Sequence, residues 1–450
     1  MKEKKKVSRR NFIKKSAGAA ALISMPTIIP ASVFGANDKV RVAVLGVNGR
    51  GTSHISGFMN LADAEVVCLC DPDLVVLAKR AQEFEKKYSR KVIQQQDLRK
   101  VFEDKSIDAV SVATPNHWHS LATIWACQAG KDVYVEKPGS HNIYEGRKMV
   151  EAAAKYDRIV QHGVQLRSSV AVQEAIKHLR DGLIGNVYMA RGLVFRWRDD
   201  VGKKGIEPVP EGLNWDMWLG PAPKVPYNVS RHKSYNEWWA YSCGLNLADC
   251  SHMIDLVRMV MGDPDHPGSV FCAGGRVLYD DAREIPDTQT ITDDFGEFPM
   301  TVEASIYGEY LQKASTKIRY TRELFPDWLF NGDRIEIYGT EGVMYLGRTG
   351  GGWQVFGTDS KIIAQGYGYQ PDVEHQQDFI RCIRTRKTPN ADIETCHKSA
   401  TLVHLANLSY RVGKKQLFFD AATERVTNSE EANEISKGSY RQGFELPEIV

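Results

Sequence analysis

The chain has 450 residues, 42% of them hydrophobic, and a formal net charge of +2. Residues 1–35 hold eight Lys/Arg and one Glu, a net +7, which leaves −5 for the rest. That balance removes the electrostatic motive for nucleic-acid binding, and the apolar runs are too short for a membrane-spanning helix.

The first motif is Ser8-Arg9-Arg10-Asn11-Phe12-Ile13-Lys14-Lys15, followed by an apolar run from Ala17 to Ile29. Twin arginines ahead of a short apolar core form an export address for proteins that cross already folded. Residues 1–35 are therefore read as a twin-arginine signal peptide, with cleavage near Gly35 or Ala36 and a periplasmic mature protein. The export machinery is the expected partner. No cysteine lies near that point, so no membrane anchor is expected. The eight cysteines show no CxxC spacing, which favours buried free thiols over a metal site.

Residues 36–162 alternate between strand and helix patterns. Val40–Leu45 is β-branched and apolar, as a buried parallel strand requires. It runs into Gly46-Val47-Asn48-Gly49-Arg50-Gly51 and a short helical stretch to Asn60. Further strands are predicted at 64–70, 108–113, 131–135 and 159–162, with helices at 74–88, to 129 and at 143–155. This is the doubly wound α/β pattern. Glycines in such a turn permit tight curvature and close approach of a pyrophosphate. Gly46 and Gly51 hold the outer positions, with Asn48 and Gly49 in the middle. Asparagine tolerates a left-handed backbone, so the turn survives. Asp71 ends the second strand, where a carboxylate accepts ribose hydroxyls and repels a 2′-phosphate, so NAD is favoured over NADP. The alternative role for Asp71 is a turn residue ahead of Pro72.

Residues 163–450 change character. A helix at 171–181 precedes a strand at 186–198. Residues 215–226, rich in Trp, Gly and Pro, read as an irregular loop. Strands are predicted at 269–278, 300–307, 334–339 and 342–346, before a return to helix after Pro371. This is an α+β domain with a mostly antiparallel sheet. Its aromatics include Trp197, Trp238 and Trp239, which with Trp118 are candidate platforms for sugar rings. Packing is the competing role for most of them.

Several segments together resemble the Gfo/Idh/MocA oxidoreductases. They are the glycine turn, Thr114-Pro115-Asn116-His117-Trp118-His119, Tyr134-Val135-Glu136-Lys137-Pro138, and His252-Met-Ile-Asp255. The stretches from His375 and from His404 look like exported members. The resemblance implies a Rossmann domain and an open-faced C-terminal sheet that serves substrate binding and homo-oligomerisation. It implies that Lys137 is catalytic, stabilising charge on a reacting hydroxyl, and that His252 carries its proton. Asp249 stands three residues before His252, where many members have an aspartate four before; Ala248 is there. Asp249 is either that carboxylate displaced by one residue or a cap. Cofactor contacts are expected from Gly46, Asn48, Gly49, Arg50, Gly51, Asp71, Thr114, Pro115, Asn116, His119, Glu136 and Lys137. Substrate contacts are expected from Trp118, Gln165, Arg167 and Trp238, with a hinge role open for Gln165 and Arg167. No metal is expected: His117 and His119 lack a third ligand nearby.

Free cofactor is scarce outside the cytoplasm. An exported member is therefore expected to keep NAD bound and close its own redox cycle on a carbohydrate. One route oxidises one sugar and reduces another. A second cleaves a glycoside by oxidation, elimination, addition and reduction. The glycosidase relatives that act on N-acetylgalactosamine lack a lysine at the Glu-Lys-Pro position, whereas this chain keeps Lys137. A non-catalytic sugar-binding protein on the same scaffold is the alternative from another class.

Overall fold

The computed structural model describes residues 39–311 and 313–450. The signal segment, residues 1–35, lies outside the described residues.

Six parallel strands form the first sheet: β1 Val40–Leu45, β2 Ala64–Cys70, β3 Ile93–Gln95, β4 Ala109–Val112, β5 Asp132–Val135 and β6 Val160–His162, in the order β3-β2-β1-β4-β5-β6. Strand period two explains the layering. Val40, Val42 and Val44 enter one core with Phe58, Leu77 and Phe84. Ala43 and Leu45 enter the other with Leu121, Ile124 and Met149. The order reverses between β1 and β4, so a crevice opens at their carboxyl ends. Sequence reading missed β3, which is three residues long and not buried.

The second sheet has ten strands: β7 Val187–Phe195, β8 Ser269–Gly275, β9 Thr288–Asp294, β10 Pro299–Ser305, β11 Asp333–Gly339, β12 Gly342–Gly347, β13 Trp353–Gly357, β14 Ile362–Gly366, β15 Leu417–Asp420 and β16 Arg425–Val426. All pairings are antiparallel except β7 with β10. Helices Leu245–Val260 and Ile393–Arg411 cover one face through Met253, Val257, Leu402 and Leu405. The other face leaves Tyr188, Phe271 and Phe418 exposed. Five strands of this sheet (β9 and β13 to β16) escaped prediction. Polar residues alternate along β9, and β16 holds two residues.

Two late segments return to the first sheet. Helix Asp372–Thr385 supplies Phe379, Ile380 and Ile383 to one core, and Phe444, Leu446 and Val450 close the other. The stretch expected as an irregular loop contains a short helix, Trp215–Leu219, capped by Asn214. Trp215 and Trp218 stack at 4.6 Å within a small aromatic core. All eight cysteines are free and buried.

Candidate active site

A cleft of about 580 Å³ runs along the carboxyl edge of the first sheet and reaches the second domain. Gly46, Asn48, Gly49, Arg50, Asp71, Thr114, Pro115, Asn116, His119, Glu136 and Lys137 line it, as do Gln165, Trp118, Asp249 and His252.

At one end the chain turns sharply after β1. Gly46 has φ +80°, and a Cβ there would stand 2.7 Å from the carbonyl oxygen of Ala113. A Cβ on Gly51 would meet the Gly46 carbonyl oxygen at 1.9 Å. Neither Asn48 nor Gly49 has a positive φ. The left-handed tolerance expected of Asn48 is therefore not used, because Gly46 makes the turn. Helix Gly51–Met59 starts here with no side-chain cap, and the Thr52 and Ser53 N–H groups turn back onto the Gly49 and Arg50 carbonyls at 3.0 and 2.9 Å. Asp71 accepts the Val47 N–H at 2.9 Å and the Asp73 N–H at 3.1 Å. Burial pushes its carboxyl up to about 6. The buried Oγ1 of Thr114 has no partner among the described residues. The glycine cradle, the strand-end acid and this orphan hydroxyl fit a dinucleotide.

Two consecutive residues at the end of β5 then diverge. Glu136 Oε1 accepts from Arg50 Nε at 2.8 Å and meets His54 Nε2 at 2.9 Å. Arg50 Nη2 also donates to Asp372 at 3.0 Å. Burial opposes ionisation of Glu136, yet Arg50 and His54 hold its carboxyl well below the usual range. Lys137 Nζ donates to Asp249 Oδ1 at 2.8 Å and to the Ala248 carbonyl at 2.9 Å. An ammonium has three N–H groups, so one remains for a ligand. Asp249 Oδ2 accepts from Arg196 Nε at 3.2 Å, and Arg196 Nη2 donates to Asp333 at 2.9 Å. Burial disfavours the Asp249 anion, but Lys137, Arg196 and Arg348 outweigh it and keep the pKa well below normal. His252 sits one helical turn further on. Burial, reinforced by Arg348 and Lys137, holds its pKa well below the usual value, so the ring is neutral.

The remaining expected residues divide. Gln165 lines the cleft and donates to the Tyr134 hydroxyl at 3.3 Å. His119 Nε2 donates to the Thr114 carbonyl at 2.9 Å, and burial lowers its pKa to about 4. Of the substrate expectations, Trp238 and Arg167 lie off the cleft lining, whereas Trp118 lines it with most of its surface packed. Trp118 is 3% exposed, packs against Trp125 and Phe444, and gives its N–H to the carbonyls of Met217 and Trp218. Trp238 is buried in the aromatic core under Arg231, away from the cleft lining. Arg167 is buried against Asp255 and Asp263 and does not line the cleft. Packing and charge pairing claim all three. His117 contacts the backbone carbonyls of Trp218 and Tyr241.

Sequence reasoning missed Arg196, Lys313, Arg319 and Arg348, all on the cleft wall. They come from three segments far apart in the chain, Lys313 and Arg319 sharing one, and no local pattern joins them.

Family comparison agrees with this geometry. Residues 40–164 match a model described as an oxidoreductase family, NAD-binding Rossmann fold. Residues 168–284 and 317–446 match its C-terminal alpha/beta domain. The chain is 31% identical over 137 residues to a levoglucosan dehydrogenase of Pseudarthrobacter phenanthrenivorans, covering 30% of this chain and 33% of the relative. It is 31% identical over 169 residues to a glycosyl hydrolase family 109 protein of Saccharopolyspora erythraea, covering 35% and 36%. It thus spans about a third of these curated relatives' length. The WlbA dehydrogenase of Bordetella pertussis, solved with NADH and UDP-GlcNAcA, superposes with TM-score 0.61 at 19% identity, over 85% of this chain and 99% of that one; at that identity the likeness concerns the fold.

Proposed function

The chain belongs to the Gfo/Idh/MocA oxidoreductase family, and from that premise we propose that it oxidises a ring hydroxyl of a sugar or sugar derivative and keeps NAD bound through a redox-neutral cycle. The observation that carries this reading is the Lys137–Asp249 pair beside neutral His252 in one cleft. When bound, NAD would lie on the Gly46–Gly51 turn, Asp71 and Thr114–Asn116, and it supplies hydride acceptance and return.

The chain's own groups account for the rest. The third N–H of Lys137 binds the reacting oxygen and stabilises the charge that grows there. Asp249, locked by Arg196, fixes the lysine's position. His252 accepts the hydroxyl proton. As an imidazolium it would face Lys137 and Arg348, so it returns that proton readily. Asp71 supports NAD over NADP as cofactor.

Retention of the cofactor has structural support. Residues 212–214 bridge to the loop after β2: the Leu74 N–H donates to Gly212 and the Asn214 N–H to Pro72. His232 and Lys233 extend this cover along the same cleft. Export of the folded, loaded protein to the periplasm belongs to the same proposal, as does assembly of copies through the open face of the ten-stranded sheet. The family 109 relative favours glycoside cleavage as the second reading; retained Lys137 keeps simple oxidation in first place.

The test is to purify mature protein without added cofactor, denature it and quantify nucleotide per chain. Near-stoichiometric NAD is the expected result. A chain that carries none, yet reduces added NAD with sugars, overturns the sealed cycle.

A further inference from the structure

The wall beyond Lys137 is unusually basic. Arg196 and Arg198 follow β7, Arg348 follows β12, and Lys313 and Arg319 flank the same space; with Lys137 they make six basic side chains on this wall of the cleft, of which burial lowers Lys313 to about 7. Two carboxylates answer them. Asp249 is taken by Lys137 and Arg196. Asp333, fully buried, is taken by Arg196 at 2.9 Å, with Arg348 at 3.8 Å. Arg348 is 8% exposed and donates no side-chain hydrogen bond among the described residues. The buried Nε of Arg319 also lacks a partner there. Burial lowers the Arg348 pKa and Asp333 only partly offsets it, with Arg196 adding to the cost.

Such a wall is poorly matched to a neutral sugar. Hydroxyls both donate and accept, whereas Arg and Lys only donate. A planar guanidinium fork beside further cations suits an oxyanion with two or more oxygens. We propose that the substrate is an anionic sugar, bearing a carboxylate or a sulfate ester, and that Arg348 with Arg319 and Lys313 seats the charged group while Lys137 holds the reacting hydroxyl. This rests on the sugar-oxidoreductase reading above and names its substrate class.

The experiment is calorimetric titration of the NADH-loaded protein, in which a hydroxyl cannot be oxidised, with methyl glycosides of glucuronic and galacturonic acid, with glucose 6-sulfate, and with the matched neutral glycosides. At least one anionic sugar is expected to bind about tenfold or more tighter than its neutral partner. Added salt should shrink that gap, and Arg348→Met should remove most of it. The uronate and sulfate arms separate the two anions. Neutral glycosides that bind as tightly as every anionic one overturn the proposal. Should Arg348→Met not fold, Arg319→Met and the salt series give the same decision. Binding is read without turnover. Tight anionic binding with no sugar-dependent reduction of NAD would therefore strike at the oxidoreductase reading and leave this one standing, whereas turnover that prefers neutral sugars does the reverse.

Discussion

Glu136 and Lys137 are adjacent in the chain and opposite in charge, yet they serve two different networks. Glu136 is enclosed by Arg50 and His54. Lys137 pairs with Asp249 across the domain boundary and keeps a donor facing the cleft. Both carboxylates, Glu136 and Asp249, are held ionised against burial by neighbouring cations. The first network is closed and fixes the glycine turn against β5. The second is open and presents charge to a ligand. The first holds its carboxylate between two neighbours, and the second leaves one ammonium N–H towards the cleft.

Substitutions test that contrast. Lys137→Ala should reduce kcat by about 10³ with melting temperature and NAD content nearly unchanged, as steady-state turnover and calorimetry would reveal. Equal loss of stability would place Lys137 with the first network instead. Glu136→Gln should act the other way, lowering unfolding free energy by about 3 kcal/mol in denaturant titrations because Arg50 and His54 lose their carboxylate. The lowered Glu136 pKa gives the sign of its pH dependence. Its stabilisation is present above the ordinary glutamate value of about 4.3 and is lost as pH falls through the lowered folded value. Glu136→Gln should flatten that acid limb.

Asp249→Asn should lower kcat by roughly tenfold to a hundredfold and the unfolding free energy by about 1.5–3 kcal/mol, since hydrogen bonds between charged groups are lost. An unchanged kcat would show that the Ala248 carbonyl suffices to place the lysine. The smallest effect belongs to Asp71. Its carboxyl is pushed up to about 6, so it ionises between pH 5 and 7. NAD should bind the stripped protein up to about tenfold more weakly at pH 5 than at pH 7, by fluorescence titration. Asp71→Asn should remove that slope.

The first sheet was legible because parallel strands buried on both faces are written as apolar runs, and because Gly46, Gly51 and Asp71 must lie at fixed points on it. The second was legible only where the pattern was strong. Polar residues of β9 such as Gln289 and Asp293 are buried, although their types suggest exposure. Trp118, Trp238 and Arg167 carried the chemistry of sugar contacts, but neighbours had already claimed their polar atoms or their faces.

Asp249 shows where the two sources of information part. Three residues before His252, it lies about 300° round the helix from it, against about 400° for the position of Ala248. Neither angle says which position meets Lys137; the packing of helix Leu245–Val260 on the second sheet does. By itself the sequence determined the doubly wound sheet and the glycine turn, because each is a local pattern of residue types. Only the tertiary structure decided the partner of Lys137 and the basic wall beside it, because Arg196 and Arg348 are brought together by the strand order β12-β11-β7 around Asp333, far from one another in the chain.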